Sequence, residues 1–210
     1  YVGMSHKLFG AYNAQVKLVE SEVPTYRFFH VLMTHSPIWL DSDCMPLDTA
    51  ATHSLVNRKA EAICALSHLE TFISKLKELG LHDNTLIVIS SDHGSDYLPT
   101  DLSKSFSALK IPYQSASATL MIKPINSNLP FRFDEYPASL SDIPATVLNA
   151  IDMASSLPGV AILSGDRPAG RVREYFQYQW HHSFGKKDSL PPTTPYRIAK
   201  GKSNPESWER

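Results

Sequence analysis

The sequence predicts an α/β fold, with a mostly parallel sheet and flanking helices. Two apolar runs of strand length, 26–33 and 85–91, lie on either side of a long helical pattern over 56–79. A strand, a helix and a second strand in this order form a right-handed crossover, which makes the two strands parallel. Each run ends in polar residues, and parallel strands present such ends at one edge of the sheet, where open α/β sheets bind ligands.

The first element is a short amphipathic helix predicted over residues 5–19. Its apolar side comprises Leu8, Phe9, Tyr12, Val16 and Val19. The aromatic and aliphatic run 26–33 predicts a strand, and Pro37 together with several turn-forming residues predicts a loop after it.

The helix over 56–79 is the clearest element of the sequence. Its apolar residues recur at steps of three and four, which is the period of one helical face. They are Val56, Ala60, Ile63, Leu66, Leu69, Ile73, Leu76 and Leu79. Gly80 follows where a glycine commonly ends a helix, and Lys75 and Lys77 suit the negative end of the helix dipole.

The second half of the chain begins with the strand over 85–91. We expect a polar loop from Gly94 to about residue 110, and then a strand over 115–124. The segment 139–151 predicts a short helix, with Ser141 as its N-cap and Asp142 in its first turn. Two further strands are predicted over 172–180 and 196–202.

The composition narrows the classes of function. The chain has 210 residues, a net charge of −1 and 42% hydrophobic residues, which is enough for a substantial core. The balanced charge gives no basis for binding nucleic acid, and no apolar stretch reaches the roughly 18 residues that a membrane span needs. Because the chain starts at Tyr1 without an initiator Met, we expect it to be part of a longer protein.

The two cysteines, Cys44 and Cys64, leave two interpretations open. They are too few for a disulfide framework, and their spacing does not match that of a zinc ribbon. They are either two unrelated thiols or a single bridge formed in an oxidising compartment.

Asp92 and His93 directly follow the strand over 85–91. A carboxylate and an imidazole that converge on a turn can both bind a divalent metal, and this pair of donors suits Zn²⁺ or Mn²⁺ better than an all-oxygen calcium cage. Gly94 then permits a close approach of the backbone. Two ligands do not complete a site, and the pair can also be an ordinary turn with an exposed histidine.

His35 is the second candidate residue, because it follows the strand over 26–33. At the same edge of a parallel sheet it would lie near Asp92 and His93. An imidazole there can donate to an anionic oxygen of a substrate or act as a general acid. Packing or simple exposure is the alternative for a single histidine.

Four segments together resemble a known family. "TLIVISSDHGS" is similar to the signature strand of the sulfatase-like branch of the alkaline phosphatase superfamily. "HVLMTHSPIWLD" resembles that branch's loop with a substrate-contacting histidine, and "KLKELGLHDNTLIVISSDHG" resembles its helix, turn and strand in register. "PASLSDIPATVLNAI" resembles a helix after the core, and "REYFQYQW" and "YRIAKGK" resemble the C-terminal part of bacterial membrane-anchored members.

The resemblance implies an alkaline-phosphatase-like fold and a role for each candidate residue. Asp92 and His93 would ligate a divalent metal (Zn, Mn or Ca) in a site that this chain leaves incomplete, and His35 would contact the sulfate or phosphate group. The implied substrate is a phosphate or sulfate ester in the bacterial envelope, with the domain in the periplasm and the inner-membrane anchor N-terminal to this chain. The resemblance also favours a bridge between Cys44 and Cys64.

The nucleophile and the first metal ligands of the family lie N-terminal to the matching segments. None of the Ser, Thr or Cys residues here stands in a matching context, so we expect the nucleophile outside this chain and no activity from the chain alone. We expect one partial domain over 1–210, with its core at about 26–152 and a C-terminal extension over 153–210. The parent would be a sulfatase or a phosphoethanolamine- or phosphoglycerol-type transferase. The alternative is a non-catalytic module for binding or assembly, and the oligomeric state is left open.

Other basic residues are weaker candidates. Lys104 and Lys110 are the basic residues between Gly94 and the strand over 115–124, and either could hold an anionic group or be a solvated loop lysine. His181 and His182 are adjacent, and adjacent residues of a strand point to opposite faces, so we expect them to be exposed.

Overall fold

The computed structural model describes residues 2–51, 54–94, 100–178, 192–199 and 203–210. The chain forms two compact units, Tyr1–Thr85 and Leu86–Arg210. Helices and small sheets occur in both, which confirms the α/β class. None of the helices in the described ranges is both long enough and apolar enough to cross a bilayer.

The part of the first unit that the structure describes has two helices and a two-stranded sheet. Its elements are α1 (Val2–Gln15), β1 (Ile38–Leu40), β2 (Pro46–Ala51) and α2 (Leu55–Glu78). Strand β1 pairs antiparallel with β2, and Ile38 and Leu40 are buried. A small core forms around Met33, Leu40 and Cys64, so the sheet packs against α2.

Both ends of α2 are built as the sequence predicts a helix to be built. At its start, the Ser54 side chain accepts a hydrogen bond from the Asn57 N–H at 3.2 Å. At its end, Gly80 has φ +68°, and the Leu81 N–H donates to the Leu76 carbonyl at 2.8 Å. This is a Schellman motif, which confirms the role expected of Gly80.

The predicted strand over 26–33 is wrong. These residues form no strand, and the aromatic ring of Phe29 lies 5.7 to 5.9 Å from those of Phe9 on α1 and Phe72 on α2. Phe29 makes these ring contacts and Met33 is buried, whereas Tyr26 and Phe28 are exposed. Apolar composition alone cannot supply the backbone partner that a strand needs.

In its described residues, the second unit contains five strands and three α-helices. Its elements are β3 (Ile87–Ser90), α3 (Thr100–Ala108), α4 (Tyr113–Ala116), β4 (Leu120–Lys123), α5 (Asp142–Asn149), β5 (Arg173–Tyr178), β6 (Thr193–Ile198) and β7 (Trp208–Glu209), with a short 3-10 helix at Pro205–Ser207. Strand β3 pairs antiparallel with β4, and β5, β6 and β7 form an antiparallel sheet in that order.

The main core of this unit joins the middle of the chain to its C terminus. Phe106, on α3, and Tyr113, on α4, pack in one buried cluster with Tyr196 and Trp208 from the last strands. Helix α3 lies in the segment that we predicted as a loop, so that expectation is wrong. The helical turn α4 takes the first two residues of the predicted strand over 115–124, which therefore begins later than expected. Phe106 is fully buried, and this burial stabilises a helix whose sequence is largely polar.

The strand pairings found among the described residues are all antiparallel. The parallel pairing expected between 26–33 and 85–91 is therefore not present. The predicted strands over 85–91, 115–124, 172–180 and 196–202 correspond to β3, β4, β5 and β6, with shorter or shifted bounds.

Helix α5 starts where we expected, but Ser141 does not cap it through its side chain. Ser141 has helical backbone angles, and its hydroxyl donates to the Ser139 hydroxyl. The Asp142 carboxylate instead accepts from the Ser139 N–H at 2.7 Å and from the Val160 N–H at 2.9 Å. The capping expectation for Ser141 is therefore wrong, and the Asp142 carboxylate binds two N–H groups that lie outside the helix.

Candidate active site

The backbone around Asp92 continues the pairing of β3 beyond its last strand residue. The Ser91 N–H donates to the Thr119 carbonyl at 3.1 Å, and the Thr119 N–H donates to the Ser91 hydroxyl at 2.8 Å. Two hydrogen bonds therefore hold the residue immediately before Asp92.

Gly94 fixes the other end of this loop. Its N–H donates to the Ser115 carbonyl at 2.9 Å, so the loop lies against the helical turn α4. A Cβ atom at this position would lie 1.8 Å from the Gln114 carbonyl oxygen, a distance that no side chain can adopt. The close backbone approach expected of Gly94 is thus confirmed.

The side chains of Asp92 and His93 converge between these two anchors. The Asp92 Oδ1 accepts from the His93 N–H at 2.9 Å, and the His93 Nδ1–H donates to the Gly94 carbonyl at 2.7 Å. The second hydrogen bond places the ring proton on Nδ1, so the lone pair of His93 Nε2 is available to bind a metal ion. Nε2 lies 3.7 Å from Asp92 Oδ1, and both side chains are well exposed.

This geometry fits a divalent metal as two neighbouring ligands. With metal–ligand bonds of about 2.1 Å, two atoms of a tetrahedral site lie about 3.4 Å apart, close to the observed separation. A nitrogen and a carboxylate oxygen suit Zn²⁺ or Mn²⁺. Within the described ranges, no third His, Cys, Asp or Glu side chain completes a set with them.

His35 lies in the first unit, on the loop before β1. Its Nδ1–H donates to the Ser36 carbonyl at 2.6 Å, and the residue is exposed. The Nε2 atom of the neutral ring can therefore accept a proton, and in the protonated ring Nε2–H can donate to an anionic oxygen. The parallel pairing that we expected to bring His35 to the edge near Asp92 is absent, so its role as an anion contact stays a prediction.

Glu61 positions the His35 loop, and sequence reasoning missed it. This residue is fully buried on α2; its Oε2 accepts from the Thr34 N–H at 3.0 Å and its Oε1 from the Trp39 N–H at 3.3 Å. Burial raises the pKa of Glu61, although the backbone hydrogen bonds oppose that change. Thr34, with φ +69°, is the residue directly before His35.

The buried side of α2 differs from the apolar stripe that the sequence suggests. Val56, Ile63 and Leu66 belong to the predicted stripe, yet they are exposed. The buried residues of this helix are Glu61, Cys64 and Leu76. Glu61 lies three residues before Cys64, so the two side chains share one face of the helix. If the cysteine is buried, the acid beside it is buried too and needs hydrogen-bond partners, and this spacing was the signal available in the sequence.

Cys44 and Cys64 form a disulfide with a Cα–Cα distance of 5.1 Å, which confirms the bridge that the family resemblance implied. It ties the turn after β1 to α2, one helical turn beyond Glu61. The loop that contains His35 is thus bordered by two attachments to the same helix.

Two histidines lie beside this bridge. A hydrogen bond of 2.6 Å joins His6 Nδ1 to His68 Nε2, so one imidazole donates to the other. Burial lowers the pKa of both, and the neighbouring His68 lowers that of His6 further. This pair could not be predicted from the sequence, because His6 and His68 belong to different helices.

Of the weaker candidates, Lys104 and Lys110 are both exposed, Lys104 on α3 and Lys110 at the turn after it. No described contact links either lysine to Asp92 or His93. His181 and His182 lie outside the described residues.

Comparison with known families gives one match. The family model described as Sulfatase matches residues 4–153, well over half of the chain. No curated protein matches the chain significantly. The matched range includes His35, Glu61, both cysteines and the loop with Asp92 and His93.

Proposed function

This chain belongs to the sulfatase family, and from that premise we propose that Asp92 and His93 ligate a divalent metal in a phosphoryl- or sulfuryl-ester hydrolase or transferase. The observation that supports the proposal best is the 3.7 Å approach of Asp92 Oδ1 and His93 Nε2, with Nδ1 engaged by a carbonyl. Neither atom has to move far to bind one ion.

The metal would supply Lewis-acid stabilisation of the ester oxygens and would favour the ionised nucleophile. Members of this family generally use such an ion. Asp92 and His93 would hold it on a loop that Ser91 and Gly94 fix at both ends. A fixed loop keeps the two ligands at one separation whether or not substrate is bound.

His35 would act on the ester group itself. Because its Nδ1–H is held by the Ser36 carbonyl, the Nε2 atom of the neutral ring is an acceptor. In the protonated ring, Nε2–H would bind an anionic oxygen of the ester or pass its proton to a leaving group. Glu61 would position this loop without touching the substrate.

We place the remaining metal ligands and the nucleophile outside this chain. Together with them it would act on phosphate or sulfate esters of envelope lipids or glycans, with this part in the bacterial periplasm and the anchor in the inner membrane. The Cys44–Cys64 bridge supports an oxidising compartment. A phosphoethanolamine- or phosphoglycerol-type transferase and a sulfatase are both compatible with this chemistry, and the identity of the nucleophile separates them.

A non-catalytic binding or assembly role is the second candidate. The observation that favours it is the incomplete ligand set: Asp92 and His93 have no third His, Cys, Asp or Glu partner in the part of the chain that the structure describes.

The test is calorimetric titration of the non-reduced chain with Zn²⁺ and Mn²⁺. We expect weak binding of one ion, lost in Asp92→Ala and His93→Ala. His82→Ala is the matched control, because His82 and Asp83 form another adjacent imidazole–carboxylate pair, with Nδ1 and Oδ1 3.1 Å apart. Equal binding by the wild type and His93→Ala would contradict the proposal.

A further inference from the structure

Four potential metal ligands converge in the first unit, and none of them belongs to the proposed active site. They are His6 on α1, Cys44 on the turn after β1, and Cys64 and His68 on α2. Their ligand atoms all lie within 4.8 Å of one another. Among the described residues, no other group of three or more such side chains comes this close together.

The packing of α1 on α2 holds the histidine pair in place. The Asn13 side chain on α1 donates to the His68 carbonyl at 3.0 Å, and the ring of Phe9 lies 6.3 Å from that of His68. The His6 and His68 rings meet edge to face at 4.7 Å. These contacts hold α1 against α2 at the place where the two imidazoles meet.

The two cysteines complete the cluster. Cys64 and His68 are four residues apart on one helix, so their side chains share a face. Cys64 is fully buried, whereas the other three residues are half-buried. Partial burial shields the cluster from bulk water, and the exposed parts of the other three side chains leave a path for an ion to enter.

Two thiolates and two imidazoles are a donor set of structural zinc sites. In a tetrahedral site with Zn–N and Zn–S bonds of about 2.0 to 2.3 Å, neighbouring ligand atoms are about 3.3 to 3.8 Å apart. The imidazole nitrogens are closer than this, at 2.6 Å, and the two sulfur atoms are bonded to each other. The bridge must therefore open, and the rings must separate slightly, before an ion fits.

We propose that reduction of the Cys44–Cys64 bridge turns this cluster into a Zn²⁺ site formed by Cys44, Cys64, His6 and His68. A dithiol reductant would pass two electrons and two protons to the bridge, giving two thiols, and would itself become a disulfide. Binding of Zn²⁺ then releases the two thiol protons and leaves two Zn–S and two Zn–N bonds. The disulfide and the metal are mutually exclusive states of one cluster.

This inference does not depend on the proposed active site, which shares no residue with the cluster. The two can therefore fail separately. A His93→Ala background removes binding at Asp92 and His93 from the measurement, and non-reduced protein removes binding by the cluster.

The test is anaerobic titration of the His93→Ala chain with Co²⁺, before and after reduction by a phosphine. After reduction we expect one equivalent of Co²⁺ to give the visible bands of a tetrahedral site and thiolate charge-transfer absorption, and Zn²⁺ to displace it. Before reduction we expect no tetrahedral Co²⁺ bands and no thiolate charge-transfer absorption. Adding His6→Ala or His68→Ala should weaken the affinity about tenfold or more, whereas the exposed His30→Ala is the matched control and should change nothing.

Three results would overturn the proposal: no thiolate absorption in the reduced protein, equal affinity in the two histidine variants, or a fold that is lost on reduction and does not return with Zn²⁺. If a histidine variant does not fold, X-ray absorption of the zinc-loaded protein counts the ligands directly. Two sulfur and two nitrogen neighbours are expected, and a shell without both cysteine sulfurs would contradict the assignment.

Discussion

The Glu61 carboxylate accepts a hydrogen bond from the Thr34 N–H at 3.0 Å, so a buried acid on α2 holds the residue directly before His35. The same carboxylate accepts from the Trp39 N–H on β1. The two backbone donors lie on either side of His35. The position of this histidine therefore depends on a helix that begins twenty residues later in the chain.

Replacing Glu61 by alanine should destabilise the protein by about 2–3 kcal/mol, because two backbone donors lose their buried acceptor. Urea unfolding measures the change. Glu78→Ala on the same helix is the control; Glu78 is exposed and pairs with Lys75 at the surface, so its loss should cost less than about 0.5 kcal/mol. Similar losses in the two variants would show that Glu61 does not hold the loop.

Asp142→Asn should destabilise the protein by about 3–5 kcal/mol, since it breaks a buried ion pair and leaves the charge of Arg171 without its partner. Arg171 binds the fully buried Asp142 through two nitrogens, at 2.5 and 2.7 Å. Asp134→Asn is the matched control, because Asp134 pairs with Arg167 at the surface, and we expect a loss below about 1 kcal/mol. Thermal unfolding of both variants checks the difference.

Stability should fall at acidic pH through Asp142. Burial alone would raise the pKa of this carboxyl, but hydrogen bonds from Arg171 and from the Ser139 and Val160 N–H groups hold it below the ordinary 3.8. The stabilisation is thus fully present above the unfolded pKa and is lost as pH falls through the folded pKa. Urea midpoints between pH 6 and 2 should drop more steeply in the wild type than in Asp142→Asn, and parallel curves would contradict this.

Gly94→Ala should cost about 1–3 kcal/mol and should also abolish metal binding by Asp92 and His93, because the added Cβ forces the loop away from the Gln114 carbonyl. Gly165→Ala is the matched control, since a Cβ at Gly165 meets nothing within 4 Å. Calorimetric titration with Zn²⁺ and urea unfolding report the two effects. An intact, metal-binding Gly94→Ala protein would show that the close approach is not needed.

The disulfide between Cys44 and Cys64 should leave no titratable thiol in denatured, non-reduced protein. Reduction should lower the stability by about 3 kcal/mol, as expected for a closed loop of this length, because the unfolded chain regains its freedom. The Cys44→Ser, Cys64→Ser double variant should show the same loss in metal-free buffer. Two free thiols in the untreated protein would refute the bridge.

Several parts of this protein could be predicted from neighbouring residues. The helical period and Gly80 located α2 and its end, and an apolar run located β3. The polar turn at its end pointed to Asp92, His93 and the close approach at Gly94. Such features depend on residues only a few positions apart, so the sequence contains most of the information that they need.

Pairing and burial could not be predicted in the same way. Residues 26–33 are as apolar as a strand, yet they form no strand, and most of their side chains are exposed. Helix α3 is largely polar, yet Phe106 anchors it in a core with Trp208. The buried side of α2 is set by contacts with a loop and a sheet, which is why Glu61 escaped prediction.

The sequence by itself therefore determined the family, the bridge that the family implies and the loop that offers Asp92 and His93. Only the tertiary structure decided that β3 pairs antiparallel with β4, that Arg171 neutralises Asp142, and that His6 and His68 meet beside Cys44 and Cys64. The physical reason is distance along the chain. A hydrogen bond or a set of metal ligands joins residues that are tens of positions apart in the chain. The local periodicity of the sequence does not indicate which of these residues are in contact.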